Sequence, residues 1–324
     1  MVRSFKTVKV VCFGGGTGLP ALLSGLRENK WLKITAAPTV FDNGGSSGAL
    51  KDSHGILPPG DVLRCLLSLS EDEAVARKIL SARIEIESAP RHTAGNLLLL
   101  GLQMVFENDY QLSIDSLGTA LHIHGRVCPV SCEKSTLVAN YHDGVTIKGE
   151  IQIDEKLREG TAPKSLSLDP QVEGNEALIL AIKKADILCI SSGSFFTSIL
   201  PCFLPKGIKE VIQESPAPAI FISNILTEGM GMNHESVESM TRTVEEYIGK
   251  RVVRIVINDK VHDDAMGRYA QEDKNPTKYD KESNDPRFIT GEFWQDSELA
   301  RHDSRLLGSA VSKLIHELTN PSPR

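Results

Sequence analysis

No apolar run in the sequence is long enough to cross a bilayer, which takes about 18–20 apolar residues. The longest candidate, residues 97–102, is far too short. Arg3, Lys6 and Lys9 precede an apolar segment that reaches glycine at Gly14, which indicates a strand and not a signal peptide. We therefore expect no membrane insertion and a cytoplasmic location.

The sequence also has no excess of basic residues. It carries 36 lysines and arginines against 42 aspartates and glutamates, a formal net charge of −6 at pH 7. A protein whose main role is to bind nucleic acid needs a basic face that displaces phosphate counterions. We therefore expect no nucleic-acid partner, while a local basic site remains compatible with this charge.

Signals of cysteine pairing are lacking as well. The six cysteines form no C-x-x-C pair, and several lie inside apolar runs, as Cys189 does between Leu188 and Ile190. That setting is typical of buried, reduced thiols. The sequence therefore gives no indication of a disulfide framework.

What is present is the composition of a globular protein, with 40% hydrophobic residues and 26 glycines in 324 residues. Residues 7–13 form a short β-branched run, residues 17–29 show one apolar helical face, and residues 34–41 form a second run that contains Pro38. This order of strand, glycine turn, helix and strand is the opening of a doubly wound parallel sheet. The fold class predicted is α/β, with a Rossmann-like parallel sheet in a single domain spanning residues 1–324.

An excursion over about residues 60–155 interrupts the α/β pattern. It begins with helical segments and changes to a period near two over residues 126–154, with a turn at Asp143 and Gly144, which predicts a β-hairpin beside the main sheet. The alternation then resumes. Strands are predicted at residues 185–191, 219–223 and 252–257, and helices at residues 235–248 and 304–318.

The predicted strands end in residues that favour anions. These ends are Gly14 to Gly18, Asp42 to Gly48, Ser191 to Ser194, and Ser223 with Asn224. In an open α/β sheet the carboxyl ends of the strands form the ligand crevice, where glycines allow backbone N–H groups to approach a phosphate. Several such loops at one edge predict a site for a phosphate or diphosphate.

The common nucleotide-loop signatures do not fit these glycines. The G-x-G-x-x-G pattern would place its third glycine at Leu19, and no lysine follows Gly18 or Gly48 as a P-loop requires. A dinucleotide-dependent dehydrogenase and a P-loop kinase are therefore both disfavoured. Asp42 remains suited to holding a ribose hydroxyl, as an acidic residue does in Rossmann sites.

A set of motifs resembles a known family. In chain order they are Gly14-Gly15-Gly16-Thr17-Gly18-Leu19, Asp42-Asn43-Gly44-Gly45-Ser46-Ser47-Gly48, Pro58-Pro59-Gly60-Asp61, Gly95-Asn96-Leu97-Leu98, residues 193–198, residues 224–227, Tyr269 with Pro276, and Arg301-His302-Asp303. From about Lys9 to Leu318 the chain resembles the gluconeogenesis-factor (YvcK-type) family, which is related to the CofD-type 2-phospho-L-lactate transferases.

The resemblance implies a Rossmann-like protein that binds a uridine-diphosphate sugar and regulates carbon metabolism, the cell envelope and cell shape. The alternative that it implies is a CofD-type transferase, which moves a phospholactyl group from a guanosine-diphosphate donor. A stretch of about residues 260–318 would complete the nucleotide site, with Tyr269 and Arg301 at the nucleoside end. The other expected ligand-binding residues are Gly14, Gly15, Gly16, Thr17, Gly18, Leu19, Asp42, Asn43, Gly44, Gly45, Ser46, Ser47, Asn96, Gly193, Ser194, Asn224 and Thr227.

Two departures from the family pattern bear on the ligand. Asn43 follows Asp42 where the family commonly has a second aspartate, which leaves one carboxylate fewer for a metal. Glu228 stands where a glutamine is usual, which bears on the identity of the distal group. The expected partner is a nucleoside diphosphate or its sugar conjugate, and a homo-oligomer is left open.

Two metals are considered. His122, His124, Cys128 and Cys132 lack the spacing of a zinc site, since the histidines are too close, and the family resemblance makes the two cysteines small core residues. Magnesium is the better candidate, with Asp42 as its ligand beside substrate phosphates. For Asp61, capping of a helix is favoured over metal binding.

Overall fold

The structure, a computed structural model, describes residues 7–44, 57–84, 92–296 and 299–320. Its strands within these ranges are β1 (Val8–Gly14), β2 (Leu32–Pro38), β3 (Arg83–Ile84), β4 (His92–Thr93), β5 (Arg126–Val127), β6 (Thr136–Asn140), β7 (Thr146–Lys148), β8 (Ser165–Asp169), β9 (Ile187–Ile190), β10 (Ala219–Ile222), β11 (Val252–Asn258) and β12 (Phe288–Gly291). Its α-helices there are α1 (Gly18–Leu26), α2 (Gly60–Leu69), α3 (Glu73–Leu80), α4 (Ala94–Val105), α5 (Tyr110–Ala120), α6 (Glu150–Arg158), α7 (Glu176–Lys183), α8 (Ile208–Glu214), α9 (Val237–Ile248), α10 (Asp263–Ala270) and α11 (Ser304–Thr319).

Seven of these strands form one sheet in the order β12-β11-β10-β9-β1-β2-β5. All of its neighbouring pairs are parallel, so the predicted doubly wound Rossmann-like sheet is confirmed. The chain moves outward from β1 to β2 and β5, then returns to β9 on the other side of β1 and moves outward again. The gap beyond the carboxyl ends of β1 and β9 is therefore the topological switch point, where such sheets bind ligands.

The first strands and helix form because their apolar residues match the sheet and helix periods. The run Val8–Gly14 is buried at nearly every position, and Leu19, Leu22, Leu23 and Leu26 bury one face of α1. The predicted second strand at residues 34–41 is wrong at its carboxyl end, because β2 stops at Pro38. Proline has no N–H to continue the ladder.

The excursion differs in part from its prediction. The turn at Asp143 and Gly144 does join two antiparallel strands, β6 and β7. However, β5 is not part of that hairpin, because it pairs in parallel with β2 at the edge of the main sheet. The hairpin instead gains a third strand, since β8 pairs antiparallel with β6.

The six cysteines are free thiols, and all except Cys132 are buried. The expectation that Cys132 is a core residue is therefore wrong, because it is exposed on a loop, whereas Cys128 is buried as expected. Within the described ranges no helix is both long and apolar enough to span a bilayer.

Candidate functional site

A cavity of about 420 Å³ lies at the topological switch point. It opens between the loops that follow β1 and β9, and segments after β10 and before α11 complete its wall. The residues that line it are Gly16, Thr17, Gly18, Ala21, Glu150, Ser192, Gly193, Ser194, Ser198, Asn224, Ile225, Leu226, Thr227, Glu228, Tyr269, Lys274, Leu299, Ala300, Arg301 and His302.

The glycine loop after β1 is held against its neighbours by backbone contacts. A Cβ on Gly18 would overlap the carbonyl oxygen of Ser192, so only glycine allows the loops after β1 and β9 to meet. The N–H of Gly16 donates to the Asp61 carboxylate at 3.0 Å, and Arg64 forms an ion pair with the same carboxylate. Contacts within the protein therefore hold the glycine loop in place at the cavity.

Asp61 is not the N-cap of its helix. Residue Pro59 occupies the cap position of α2, and Asp61 lies in the first turn with its carboxylate turned to the glycine loop. Burial raises the pKa of Asp61 to about 6, and the charge of Arg64 and the N–H of Gly16 oppose this rise. The capping prediction was wrong because the Asp61 carboxylate accepts the Gly16 N–H instead of an N–H of its own helix. The sequence around Asp61 does not show this contact.

The wall after β9 and β10 is built on an amide that bridges the two loops. Asn224 donates from Nδ2 to the carbonyl of Gly193 at 2.8 Å and accepts the Gly193 N–H at 3.3 Å. Thr227 donates to Asn233 and accepts the N–H of Asn275 at 3.0 Å each. These side chains therefore fix the backbone around the cavity while they line it.

A buried polar network lies beside that wall. Glu228 accepts from the Phe195 N–H at 2.7 Å and from the Ser194 hydroxyl at 3.2 Å. Thr197 also contacts the Ser194 hydroxyl, at 2.6 Å, and lies 3.0 Å from the Asp154 carboxylate. Burial raises the pKa of Glu228 to about 8, and the two hydrogen bonds that it accepts oppose that rise.

Asp42 forms a carboxyl pair with Glu150, which is the first residue of α6. Burial, the hydrogen bond to Asp42 and the charge of Asp42 together raise the pKa of Glu150 to about 10. The neighbouring Asn43 accepts the Ile151 N–H at 3.1 Å and donates to Gln152 at 3.2 Å. An amide can make both bonds, whereas a carboxylate can only accept. Asn43 therefore stabilises the first turn of α6.

The C-terminal side of the cavity presents an aromatic ring and two cations. The Tyr269 hydroxyl accepts the Ala300 N–H at 2.9 Å, and the Lys274 ammonium lies 5.8 Å from the centre of the Tyr269 ring. Lys274 also pairs with Glu272 at 2.6 Å. Among the described residues no carboxylate pairs with the exposed Arg301 guanidinium, which leaves its N–H fork available to a ligand.

Ser192 and His302 contact each other where the loop after β9 meets the start of α11. The hydroxyl lies 3.1 Å from Nδ1 of the imidazole, and burial lowers the pKa of His302 to about 4. No described residue pairs with Nε2. The imidazole is therefore neutral near pH 7, and no carboxylate among the described residues pairs with it as one does in a catalytic triad.

The structure brings nine of the expected ligand-binding residues to the cavity: Gly16, Thr17, Gly18, Gly193, Ser194, Asn224, Thr227, Tyr269 and Arg301. The others that it describes lie outside the lining. Gly14 and Gly15 are buried against Ser191 and Asp61, Leu19 is in the core, and Asn96 is buried in the first turn of α4. Asp42 contacts Glu150 without lining the cavity itself, Asn43 and Gly44 are the next two residues, and Gly45, Ser46 and Ser47 lie outside the described residues.

Four chemically important lining residues were not predicted as ligand contacts: Glu150, Glu228, Lys274 and His302. Glu150 gave no local signal because its position depends on how the excursion folds back. Glu228 and His302 were visible only as members of family motifs. Within the described ranges no group of three or more histidine, cysteine or acidic side chains has the arrangement of a metal site, so the zinc interpretation gains no support.

Comparisons with known proteins agree with this architecture. The sequence model of 2-phospho-L-lactate transferase CofD matches residues 10–293. A gluconeogenesis factor of Halalkalibacterium halodurans is 34% identical over 284 residues, which cover 85% of each chain. A gluconeogenesis factor of Bacillus subtilis strain 168 is 30% identical over 319 residues, 95% of this chain and 98% of that one. The chain belongs to the gluconeogenesis-factor (YvcK-type) family.

The family fold extends over nearly the whole chain. A crystal structure of a Bacillus halodurans protein superposes with a TM-score of 0.87 at 31% identity, covering 95% of this chain and 99% of that one. Membership of a gluconeogenesis-factor family with a CofD-like domain favours a nucleotide-type ligand for the cavity at the switch point.

Proposed function

We propose that this member of the gluconeogenesis-factor family is a regulatory protein that binds a uridine-diphosphate sugar, and that it acts in carbon metabolism and in control of the cell envelope and cell shape. The observation that carries the ligand assignment is the cavity itself. It joins a glycine loop at the switch point to an aromatic ring and to the Arg301 guanidinium, with which no described carboxylate pairs.

The cavity has the size and chemistry that such a ligand needs. Its volume of about 420 Å³ falls within the range of about 300–1,000 Å³ found for small-molecule sites. The N–H groups at the start of α1 favour a diphosphate. Arg301 is placed to form two parallel bonds to phosphate oxygens, and the half-buried Tyr269 ring offers a surface for a base.

A magnesium ion bound together with the phosphates fits the residues present. Mg²⁺ often binds through one or two carboxylates plus substrate phosphates, and Asp42 and Glu150 supply a carboxyl pair at the edge of the cavity. The cation would replace the proton that this pair otherwise shares and would neutralise phosphate charge. Asp42 and Glu150 would hold it.

The second candidate is a CofD-type transferase of phosphorus-containing groups. The match of the CofD sequence model to residues 10–293 favours it, as does the carboxyl pair that could support a leaving diphosphate through a cation. A transferase must also bind an acceptor, whereas a regulator needs only affinity for its ligand. The two candidates therefore differ in nucleotide preference and in dependence on metal.

Calorimetric titration with UDP-glucose and with GDP, each with and without Mg²⁺, separates the candidates. We expect UDP-glucose to bind without added metal, and Arg301→Ala to weaken binding by about 10- to 100-fold because a charge-assisted phosphate contact is lost. Arg305→Ala, an exposed position in the first turn of α11, is the matched control and should bind as the wild type. Magnesium-dependent preference for GDP would favour the transferase, and binding of neither nucleotide would remove the proposed function.

The metal assignment has its own prediction. Asp42→Asn should leave UDP-glucose affinity within about threefold in the presence of a chelator and should remove any gain in affinity that Mg²⁺ produces, because the amide is a weaker cation ligand. Asp143→Asn, in the exposed hairpin turn, is the control. An undiminished magnesium effect in Asp42→Asn would exclude Asp42 as the ligand.

A further inference from the structure

Glu228 lines the cavity with one carboxyl oxygen already in use. Its Oε2 accepts from the Phe195 N–H and the Ser194 hydroxyl. No hydrogen bond from any other described residue reaches Oε1, although the side chain is part of the cavity wall. The carboxylate is therefore held in one orientation by two donors, and its second oxygen receives no hydrogen bond from the described residues.

Two further carboxyl groups and one cation lie around Glu228 in this part of the wall. Asp154, on α6, raises the pKa of Glu228 through its charge, and Glu150 from the same helix also lines the cavity. The opposing cation is Lys274, which lowers the pKa of Glu228 but is itself paired with Glu272 at 2.6 Å. Once Glu228 is ionised, an incoming anion meets its negative charge here, whereas the Arg301 guanidinium attracts the diphosphate.

A carboxylate oxygen without a donor favours one class of ligand group. Hydroxyl groups of a sugar can donate to it, and the site then gains a charge-assisted hydrogen bond. A second carboxylate placed there would face a like charge at short range in a partly dehydrated site, which opposes binding strongly. The wall thus distinguishes neutral polyhydroxyl groups from acidic ones.

We infer that Glu228 determines the charge of the distal group that the cavity accepts: it selects a neutral, hydroxyl-bearing sugar and excludes an acidic one whenever Glu228 is ionised. This inference rests on the proposed function, since it assigns the sugar class of the same nucleotide site. It makes Glu228 a specificity-determining residue, with Ser194 and the Phe195 N–H as the groups that position it.

The protonation state of Glu228 gives the inference a second, independent readout. Burial raises the pKa of this carboxyl to about 8, so the group is ionised at about pH 9 and protonated at about pH 6.5. A uronic acid carboxyl stays ionised over that whole range. The penalty against an acidic sugar should therefore appear as the pH rises, while a neutral sugar should lack this penalty.

The test compares UDP, UDP-glucose and UDP-glucuronate by calorimetric titration in the presence of a chelator. At about pH 9 the wild type should bind UDP-glucose at least about tenfold more tightly than UDP-glucuronate, and this ratio should fall to about threefold at about pH 6.5. Glu228→Gln, which keeps the shape and removes the charge, should show the small ratio at both pH values. Glu155→Gln removes a charge from the exposed face of α6 and should behave as the wild type.

The possible outcomes separate the role of Glu228 from the existence of the nucleotide site. A ratio at about pH 9 that is equal in wild type and Glu228→Gln, with UDP and UDP-glucose both bound, overturns the role of Glu228 and leaves the nucleotide site standing. Absence of UDP binding removes the proposed function and the inference with it. If Glu228→Gln does not fold, a wild-type ratio that does not change between the two pH values overturns the inference by itself.

Discussion

Replacing Gly25 by alanine should lower the free energy of unfolding by about 3 kcal/mol. Gly25 lies in α1 where α11 crosses it, and an added Cβ would overlap the carbonyl oxygen of Ser304. The facing residue is Gly308, where an added Cβ would come within 2.5 Å of the Gly25 α-carbon. These obstacles are backbone atoms that no rotamer change can move, so the helices must separate, and overpacking of this kind typically costs about 1–3 kcal/mol or more.

The same substitution elsewhere should have the opposite sign. Gly101 lies in α4, and a Cβ there would meet no atom within 4 Å. Gly101→Ala should therefore stabilise the protein by about 0.5–1 kcal/mol, the usual helix preference for alanine over glycine. Urea unfolding of both variants measures the contrast. Equal stabilities for Gly25→Ala and wild type would show that the two helices do not approach as closely as described.

The helix crossing also connects stability to the cavity. Arg301 and His302 directly precede α11, whose first residue is Ser304. A displacement of α11 by Gly25→Ala should move both side chains relative to the glycine loop. We therefore expect this variant to bind UDP-glucose more weakly as well, while Gly101→Ala should bind as the wild type.

The parts of the fold that could be predicted are those that local sequence patterns specify. The β-branched run of β1, the leucine face of α1 and the glycines after β1 specify a strand, a helix and an anion-binding turn within one stretch of chain. The rule that ligands bind at the carboxyl ends of the strands then places the loops at Gly16 and Gly193 in one crevice. The structure confirms that the loops meet there.

The parts that could not be predicted depend on contacts between distant segments. Asp61 looks like a helix cap in sequence, yet its carboxylate accepts from the Gly16 N–H, 45 positions away. Glu150 reaches the cavity only because the excursion returns α6 to the loop that contains Asp42 and Asn43. Neither contact leaves a local pattern in the sequence. The residues around an aspartate or a glutamate do not show which distant segment its carboxyl group will contact.

The buried Glu228 carboxyl should make the protein less stable as the pH rises. The unfolded chain loses this proton near the ordinary glutamate pKa of 4.5, whereas burial raises the pKa of Glu228 in the folded protein to about 8. Between these values the native state holds a proton that the unfolded state has released. The free energy of unfolding therefore falls as the pH increases, by up to about 1.4 kcal/mol per pH unit for one such group.

Glu228→Gln should remove this contribution. At about pH 5 the two proteins should have similar stability, because the wild-type carboxyl is then protonated in the native state and resembles the amide. At about pH 9 the variant should be more stable by up to about 4 kcal/mol, because the wild type loses up to about 1.4 kcal/mol per pH unit between about pH 5 and its pKa of about 8. Urea unfolding at several pH values, with a chelator and without nucleotide, measures the difference.

A residual slope is expected in Glu228→Gln, since burial also raises the pKa values of Glu150 and Asp154. Glu155→Gln, on the exposed face of α6, should keep the full wild-type slope because that side chain is not buried. Parallel stability curves for wild type and Glu228→Gln would mean that Glu228 is ionised in the native state throughout this range. Such a result would also require the wild type to discriminate against an acidic sugar equally at both pH values, so stability and binding measurements test the same protonation equilibrium independently.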